Sequence, residues 1–374
     1  MYNMKIALVH DHLAQDGGAE SVLKVFHELW PEAPIFVLLH DTQSADPIFS
    51  KANVQTSFIQ HLPLGVKKYK WYLPLMPVAV EHFDLSAFDV VISSSASLAK
   101  GVLTSPHTLH ICYCHTPTRY LWTDTKQYVQ ELAYNRFMKK VIACYLSFLR
   151  IWDLAAADRV DIFLANSKIV KQRIKKYYKR ESTVIYPPVD LSQFRISTDE
   201  KDNYFLIGGR LVPYKRYDIA IQAFNAMKRR LKVFGSGPDE QRLKKLAGDT
   251  IEFEGRVSDE QLAVLYQKAQ ALIFPQEEDL GIIPIEAMAS GTPVIAYQRG
   301  GVTETVIQGK TGTFFEDQNW QSLTKAVLQF HPGQFDPKVI RAHVEQFSVE
   351  RFKKEIQQFV EEAWKQWERK SHIQ

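Results

Sequence analysis

Cysteine is scarce in this sequence, and the scarcity excludes a disulfide scaffold. Three cysteines in 374 residues, Cys112, Cys114 and Cys144, make no disulfide framework and fit a reducing cytosol. The run Cys112-Tyr113-Cys114-His115 resembles a metal cluster, but Cys112 and Cys114 alternate along a strand-like stretch and no second Cys/His cluster follows at zinc spacing. Buried strand cysteines are the expectation. Charge of one sign is also lacking: 46 basic against 42 acidic residues leave a net +4, which gives no global field for nucleic acid. No apolar run approaches the roughly 20 residues that span a bilayer. The start, MYNMKIALVHDH, lacks the basic, apolar and small-residue zones of a signal peptide. The chain is therefore expected to be cytoplasmic, with any membrane contact peripheral and at the inner face.

What is present is alternation. Lys5–His10, Ile35–His40, Asp89–Ser95, His110–His115, Asp161–Ser167 and Thr183–Pro188 are short runs, apolar on both faces as buried parallel strands are. Helical patterns lie between several of them. A proline pair, Pro187–Pro188, and a charged stretch from Ser197 to Asn203 then read as a domain linker. The alternation restarts with Tyr204–Gly209, Leu231–Gly237, Ile251–Arg256, Ala271–Gln276 and Pro293–Tyr297. Ser258 and Gln261 have capping-box spacing before a helix. The expected class is α/β, two doubly wound parallel sheets. The boundaries read as 1–190, 191–347 and a C-terminal helix in 348–374, expected to pack back across the interdomain region. Phe352, Ile356, Phe359, Val360, Trp364 and Trp367 form one stripe of that helix, which burial on a sheet explains.

In doubly wound folds ligands sit beyond the strand C-termini, so motifs placed there carry weight. Gly208-Gly209-Arg210 through Lys215 follows the first strand of the second half. The glycines permit close backbone approach, and an Arg fork with a Lys point charge suits a diphosphate; a solvated basic loop is the bland alternative. The loop of Gly17 and Gly18 opens a helix after the first strand and offers N–H donors, or is a simple tight turn. Phe234–Glu240 contains G-x-G without the full dinucleotide fingerprint. His115, followed by Arg119, ends a strand, where it can bond a sugar hydroxyl or move a proton, although a lone histidine is more often structural. In Pro275–Tyr297, Glu277, Glu278 and Asp279 lie in a loop, and Glu286 lies near a helix N-terminus whose dipole favours its charge. Such acids could be a hydrolytic pair, a metal site, a solvated edge or hydroxyl acceptors, with the Gly281-Ile282-Ile283 N–H groups facing an anion.

Taken together and in this order, Gly17-Gly18, GGRLVPYKR, a Glu followed after seven residues by a second Glu, and AMASGTPVIA resemble the family 4 retaining glycosyltransferases of the two-Rossmann-domain (GT-B) type. The resemblance spans nearly the whole chain. The stretches HTPTRYLW, VIYPPVD and IFPQEEDLGIIPIEAM look most like bacterial mannosyltransferases of surface polysaccharide and O-antigen assembly. The resemblance implies two facing domains with an interdomain cleft, the first binding acceptor and the second the nucleotide sugar. It implies GDP-mannose as donor and no metal; no Asp-x-Asp motif occurs in a cleft-like context. Arg210 and Lys215 would neutralise the donor diphosphate. Glu286 would hold the ribose hydroxyls and Glu278 those of the transferred sugar. Gly209, Leu280, Gly281, Ile282 and Ile283 would line sugar and phosphates, with Gly255, Arg256 and Val257 near the base. Gly17 and Gly18 would approach diphosphate or sugar, His115 would contact the sugar, and His12, His115 and Arg119 would face the acceptor. The sequence departs from the family at Leu280, where a Phe is usual.

A glycan or lipid-linked saccharide is the implied acceptor, and no nucleic acid is implied as partner. Val66–Val80 mixes Lys67, Lys68 and Lys70 with Tyr69, Trp71 and Tyr72, which suits an anionic membrane surface or, equally, a core loop with solvated lysines. The competing readings are a transferase using a UDP- or ADP-sugar, a sugar phosphorylase, a nucleotide-sugar epimerase, and a non-catalytic binding protein.

Overall fold

The computed structural model describes residues 4–15, 17–132 and 134–371. Contacts divide the chain into two compact units, one ending at Pro188 and rejoined from Phe352 onward, the other Val189–Arg351. Each is built on its own open sheet, and every strand pair in both is parallel.

The first sheet contains β1 (Ile6–His10), β2 (Ile35–Val37), β3 (Val54–Thr56), β4 (Val90–Ser95), β5 (Leu109–Cys114), β6 (Ile162–Ala165) and β7 (Ser182–Val184), in the order β3-β2-β1-β4-β5-β6-β7. The three central strands β1, β4 and β5 are buried along their whole length, which is why their sequences are apolar on both faces. Cys112 and Cys114 are buried within β5. Strand order reverses between β1 and β4, which opens a crevice for the loops that leave them.

Helices cover this sheet with predictable faces. The helix Gly18–Leu29 buries Val22, Leu23, Val25 and Phe26. Phe26 stacks on Phe352 with ring centroids 5.8 Å apart. The C-terminal helix, Val349–Ser371, buries Phe352, Ile356 and Val360 from the expected stripe, and Trp367 Nε1 donates to the His107 carbonyl at 3.2 Å. A buried ion pair ties loop to helix. Lys100 Nζ lies 2.5 Å from Asp153 Oδ1, and Thr118, Trp122 and Tyr178 donate to the same carboxylate at 2.7–2.8 Å. Asp153 is thus fully hydrogen-bonded, which offsets the cost of burying both charges.

The second sheet contains β8 (Phe205–Gly208), β9 (Leu231–Phe234), β10 (Ile251–Gly255), β11 (Leu272–Phe274), β12 (Val294–Tyr297) and β13 (Gly312–Phe315), in the order β10-β9-β8-β11-β12-β13. Its reversal falls between β8 and β11. The capping box at Ser258 and Gln261 forms as the spacing predicts. Part of the stretch read as linker is built into this unit. Val189 N donates to the Phe347 carbonyl at 2.9 Å, and Leu191 and Phe194 are buried beneath Arg341, whose guanidinium donates to both their carbonyls.

Candidate active site

The second unit assembles its expected residues at the strand reversal. The backbone does so first. Gly209, Gly235 and Gly255 follow or end β8, β9 and β10 with φ of +120°, +100° and +68°. Gly209 N donates to the Phe234 carbonyl at 3.1 Å and Gly235 N to the Gly255 carbonyl at 2.6 Å, so three strand exits are stitched together. A Cβ on Gly235 would stand 1.9 Å from the Gly209 carbonyl oxygen, so that position requires glycine for space as well as for φ.

On this platform Lys215 Nζ pairs with Glu278 Oε1 at 3.0 Å, and both side chains are largely buried. A side chain at Gly209 would start 3.6 Å from that ammonium and 2.7 Å from Ile283 Cδ1. Gly209, Lys215, Glu278 and Ile283 therefore share one locus. Tyr217 anchors it by donating to the Gly208 carbonyl at 2.8 Å. Burial and the nearby Glu278 charge push its phenol well above the usual range, so it stays a donor. Glu278 is held from behind: Gly301 N donates to its carbonyl at 2.8 Å, and a Cβ on Gly300 would come within 2.6 Å of that oxygen. Arg210 is exposed and has no ion-pair partner among the described residues.

Leu280 is buried, and Gly281, with φ +87°, caps the helix Ile282–Ala289. The first N–H groups of such a helix have no intrahelical acceptor. The environment of Glu286 differs from the dipole-stabilised carboxylate that the sequence predicts. It is the fifth residue of the helix, it is half-buried, and Tyr266 donates to its Oε2 at 3.0 Å. Burial pushes its pKa up to about 7, the tyrosine bond opposes this, and the Asp259 charge adds to it. Desolvation is the largest of these effects, and the fifth position lies past the first turn, where the helix dipole acts. Arg256 is exposed and Val257 half-buried, and a Cβ at Gly255 would meet nothing within 4 Å, so the end of β10 has open space beside it.

The first unit places its groups around the β1–β4 reversal. Asp11, directly after β1, accepts four backbone hydrogen bonds, from Ala96, Ser97, Leu98 and Ala99, at 2.7–2.9 Å. That carboxylate fixes the loop leaving β4. His10 Nδ1 donates to the Ser94 carbonyl at 3.0 Å, and its Nε2 lies 3.6 Å from Glu20 Oε1. Burial disfavours ionised Glu20, but the His10 hydrogen bond and charge outweigh it and hold the carboxyl below its ordinary value. Gly17 leaves room for this carboxyl; a Cβ there would lie 3.1 Å from Glu20 Oε2. His115 shares the hydroxyl of Ser94, with its Nε2 2.8 Å away. Burial, aided by His10, pushes its pKa down to about 4, so the imidazole is neutral at pH 7.

A cavity of about 330 Å³ opens here, lined by His12, Gln15, Glu20, Tyr69, Tyr120 and Tyr128 among others. His12 Nε2 is 3.4 Å from the Tyr69 hydroxyl. His12 is thus brought to the cavity, whereas His115 and Arg119 do not line it; Arg119 pairs with Asp124 at 3.0 Å. A second cavity, about 540 Å³, lies beside β13 and the helix Trp320–Gln329 and contains none of the expected residues. Gly235 belongs to the G-x-G turn that the sequence shows after β9, whereas Asp11, Glu20, Ser94, Tyr217, Tyr266 and the Gly300–Gly301 pair are not marked as site residues by the sequence. Of these, the glycine pair just past β12 carries the one sequence signal.

The family described as Glycosyl transferases group 1 matches residues 189–341, and Glycosyltransferase Family 4 matches residues 16–193. The chain belongs to the family 4, group 1 glycosyltransferases. It is 32% identical over 243 residues to the O-antigen chain mannosyltransferase RfbU of Salmonella typhimurium, covering 62% of this chain and 65% of that one. It is 34% identical over 136 residues to the GDP-mannose-dependent alpha-(1-6)-phosphatidylinositol monomannoside mannosyltransferase of Mycolicibacterium smegmatis, covering 32% and 36%. The match thus spans less than two thirds of the length of either relative. The crystal structure of Anabaena Alr3699/HepE in complex with UDP superposes with TM-score 0.72 at 16% identity, over 96% of this chain and 100% of that one. The glycosyltransferase fold of two Rossmann-like parallel-sheet units is therefore shown. Among the described residues no helix is long and apolar enough to cross a membrane, and no group of three or more His, Cys, Asp or Glu is placed to hold a metal.

Proposed function

We propose that this glycosyltransferase moves mannose from GDP-mannose, with retention, to a hydroxyl of a glycan or lipid-linked saccharide. The observation that carries the reading is the Lys215–Glu278 pair, 3.0 Å apart at the strand reversal beside Gly209 and the N-terminus of the helix Ile282–Ala289. A lone solvated lysine would not be buried against a carboxylate there. The pair supplies a cation for phosphate and an acceptor for sugar hydroxyls at adjoining points.

In this reading Lys215 and exposed Arg210 bind the donor diphosphate and stabilise the negative charge that grows as the anomeric bond breaks. Glu278 takes hydroxyls of the transferred sugar and Glu286 the ribose hydroxyls. Leu280, Gly281, Ile282 and Ile283 present backbone to sugar and phosphates, and Gly255, Arg256 and Val257 border the base. A donor phosphate oxygen accepts the proton of the incoming hydroxyl, which attacks from the face the leaving group occupies. No protein nucleophile or metal is required, since Arg210 and Lys215 supply the positive charge. In the first unit, Gly17 and Gly18 are assigned to diphosphate or sugar, His115 to sugar, and His12 and Arg119 to acceptor. Neutral His115 suits hydrogen bonding to a hydroxyl better than charge stabilisation. A peripheral membrane site of action belongs to the same reading. The mannosyl assignment draws on the two relatives named above; a UDP- or ADP-sugar is the second donor class.

The test is a thermal-shift panel of GDP-, UDP- and ADP-sugars, followed by GDP release from GDP-mannose with and without acceptor. Stabilisation by GDP-mannose and acceptor-dependent release are expected. A shift with UDP-sugars alone would overturn the donor assignment, and mannose-1-phosphate formed from added phosphate would make the protein a phosphorylase.

A further inference from the structure

The helix Arg136–Asp158 is apolar on two faces, one buried and one exposed. Its inner face buries Leu146, Leu149, Asp153, Ala156 and Ala157. Its outer face is apolar as well: Phe137 is 74% exposed, Phe148 65% and Ile151 68%, with Val141 and Cys144 exposed between them. These five recur every three or four residues, so they form one stripe along the helix. Scattered exposed apolar residues need no explanation, but a continuous stripe does.

Cations dominate the charges along the stripe. Arg136, Lys139 and Lys140 stand at its start and Arg150 beside its end; the acids of the helix are Asp153, buried against Lys100, and Asp158, exposed at the last residue beyond the stripe. The segment packed beside the helix repeats the pattern. Tyr145 donates to the Leu73 carbonyl at 3.4 Å and Trp152 Nε1 to Glu81 at 2.8 Å, and in that segment Trp71, Leu75 and Val78 are exposed. Lys68 Nζ lies 4.6 Å from the centre of the Trp71 ring. A cation-fringed apolar stripe with no acid between Phe137 and Ile151 offers a second copy of itself nothing to pair its cations with, and it matches an anionic lipid surface.

We propose that the outward face of the helix Arg136–Asp158 lies on anionic lipid, with Phe148 and Ile151 at the acyl boundary and Arg136 and Lys140 among the headgroups. This assigns the contact to a different element from the basic-aromatic segment 66–80, and it requires nothing of the donor or acceptor. The full chain would be co-sedimented with vesicles of phosphatidylcholine alone or mixed with phosphatidylglycerol. Cys112 and Cys114 are buried, so a thiol-reactive, environment-sensitive fluorophore placed on exposed Cys144 reports from the middle of the stripe. Expected are binding to the phosphatidylglycerol vesicles, a blue-shifted label, and a fall of about tenfold or more in partition for the Phe148→Ser/Ile151→Ser double variant. Lys140→Glu should weaken binding too, in a salt-sensitive way, and it covers the case in which the double variant fails to fold. No binding to the anionic vesicles, or binding that neither variant weakens, would overturn the proposal. A concentration-dependent dimer dissolved by Ile151→Ser, with the label insensitive to vesicles, would assign the stripe to a second copy. Donor-induced thermal shifts, read separately, keep a failure here distinct from a failure of the transferase reading.

Discussion

Glu286 offers the sharpest test, because its protonation and its assigned task conflict. A carboxylate that holds two ribose hydroxyls works best ionised, yet burial brings the free protein's Glu286 to about 7 from an ordinary 4.5. If only the ionised form binds well, the apparent affinity is the intrinsic one multiplied by the ionised fraction. With a pKa of about 7 that fraction is roughly 9% at pH 6 and roughly 91% at pH 8, so donor affinity should rise by about tenfold across the interval. Binding at pH 7 should release about half a proton.

Calorimetry with GDP-mannose at fixed ionic strength, in two buffers of different ionisation enthalpy, measures both quantities. The sugar blocks the terminal phosphate, so the donor itself does not titrate in this range. Glu286→Gln should bind more weakly and show no pH dependence. Tyr266→Phe should raise the Glu286 pKa further, because the bond at 3.0 Å favours the ionised form, and should move the rise in affinity to higher pH. Affinity that is flat from pH 6 to pH 8 in the unmodified protein, or a Glu286→Gln variant that keeps the pH dependence, would refute the assignment of Glu286 to the ribose. The same shift has a stability consequence of determined sign. The folded state holds the extra proton between about 4.5 and about 7, so this group's contribution to stability falls as pH rises through that window and is absent in Glu286→Gln.

Lys215→Ala should lower kcat/KM for transfer by about 10²–10³-fold, the usual cost of one charge-stabilising donor, and a variant that turns over normally would remove the phosphate role. Asp153→Ala leaves the Lys100 ammonium buried without its partner and should cost about 3–5 kcal/mol in urea unfolding; replacing both residues by apolar ones of similar volume removes the buried charge but still strands the Thr118, Trp122 and Tyr178 donors, so it should recover only part of that loss. Gly235→Ala combines φ +100° with a backbone clash at 1.9 Å and should lower the melting temperature more than Gly255→Ala, whose Cβ meets nothing within 4 Å. Asp11→Asn loses the charge that four N–H groups share and should loosen the Ala96–Ala99 loop, seen as faster amide exchange there than at β1.

The buried strands were legible because residues such as Ile6–Val9 and Val90–Ile92 must be apolar on both faces of a parallel sheet. The edges were not. β3 is only Val54-Gln55-Thr56, half-exposed with a polar centre, and β13 begins at Gly312 directly after a Gly-Lys-Thr turn, so neither gives the apolar run that marks an interior strand. Candidate residues were legible where chemistry and position coincided, as at Lys215 and Glu278, which the structure brings within 3.0 Å of each other. They were not where a residue acts by holding others. Tyr217 and Tyr266 read as core aromatics, and only their hydroxyl partners, Gly208 and Glu286, reveal more. For Glu286 the helix position can be read from the sequence, but the depth of burial that raises its pKa cannot.

The two strand reversals, each taken within its own unit, also explain why the donor is assigned to the second. In the first unit the backbone N–H groups that converge there, those of Ala96–Ala99, are bound by Asp11, so a phosphate placed there would meet a carboxylate. In the second unit the N–H groups of Gly209 and Gly235 are likewise taken, by the Phe234 and Gly255 carbonyls, and the difference is charge: beside these glycines stand Arg210, without an ion-pair partner among the described residues, and Lys215, paired with Glu278. A diphosphate arriving there finds a cation to spare, and Glu278, drawn off its lysine, gains a sugar hydroxyl in exchange. A Glu278→Gln variant therefore separates the two roles. It frees Lys215 and should bind GDP alone at least as tightly as the unmodified protein, while losing affinity for GDP-mannose relative to GDP. Equal losses for both ligands would mean that Glu278 serves only to position Lys215.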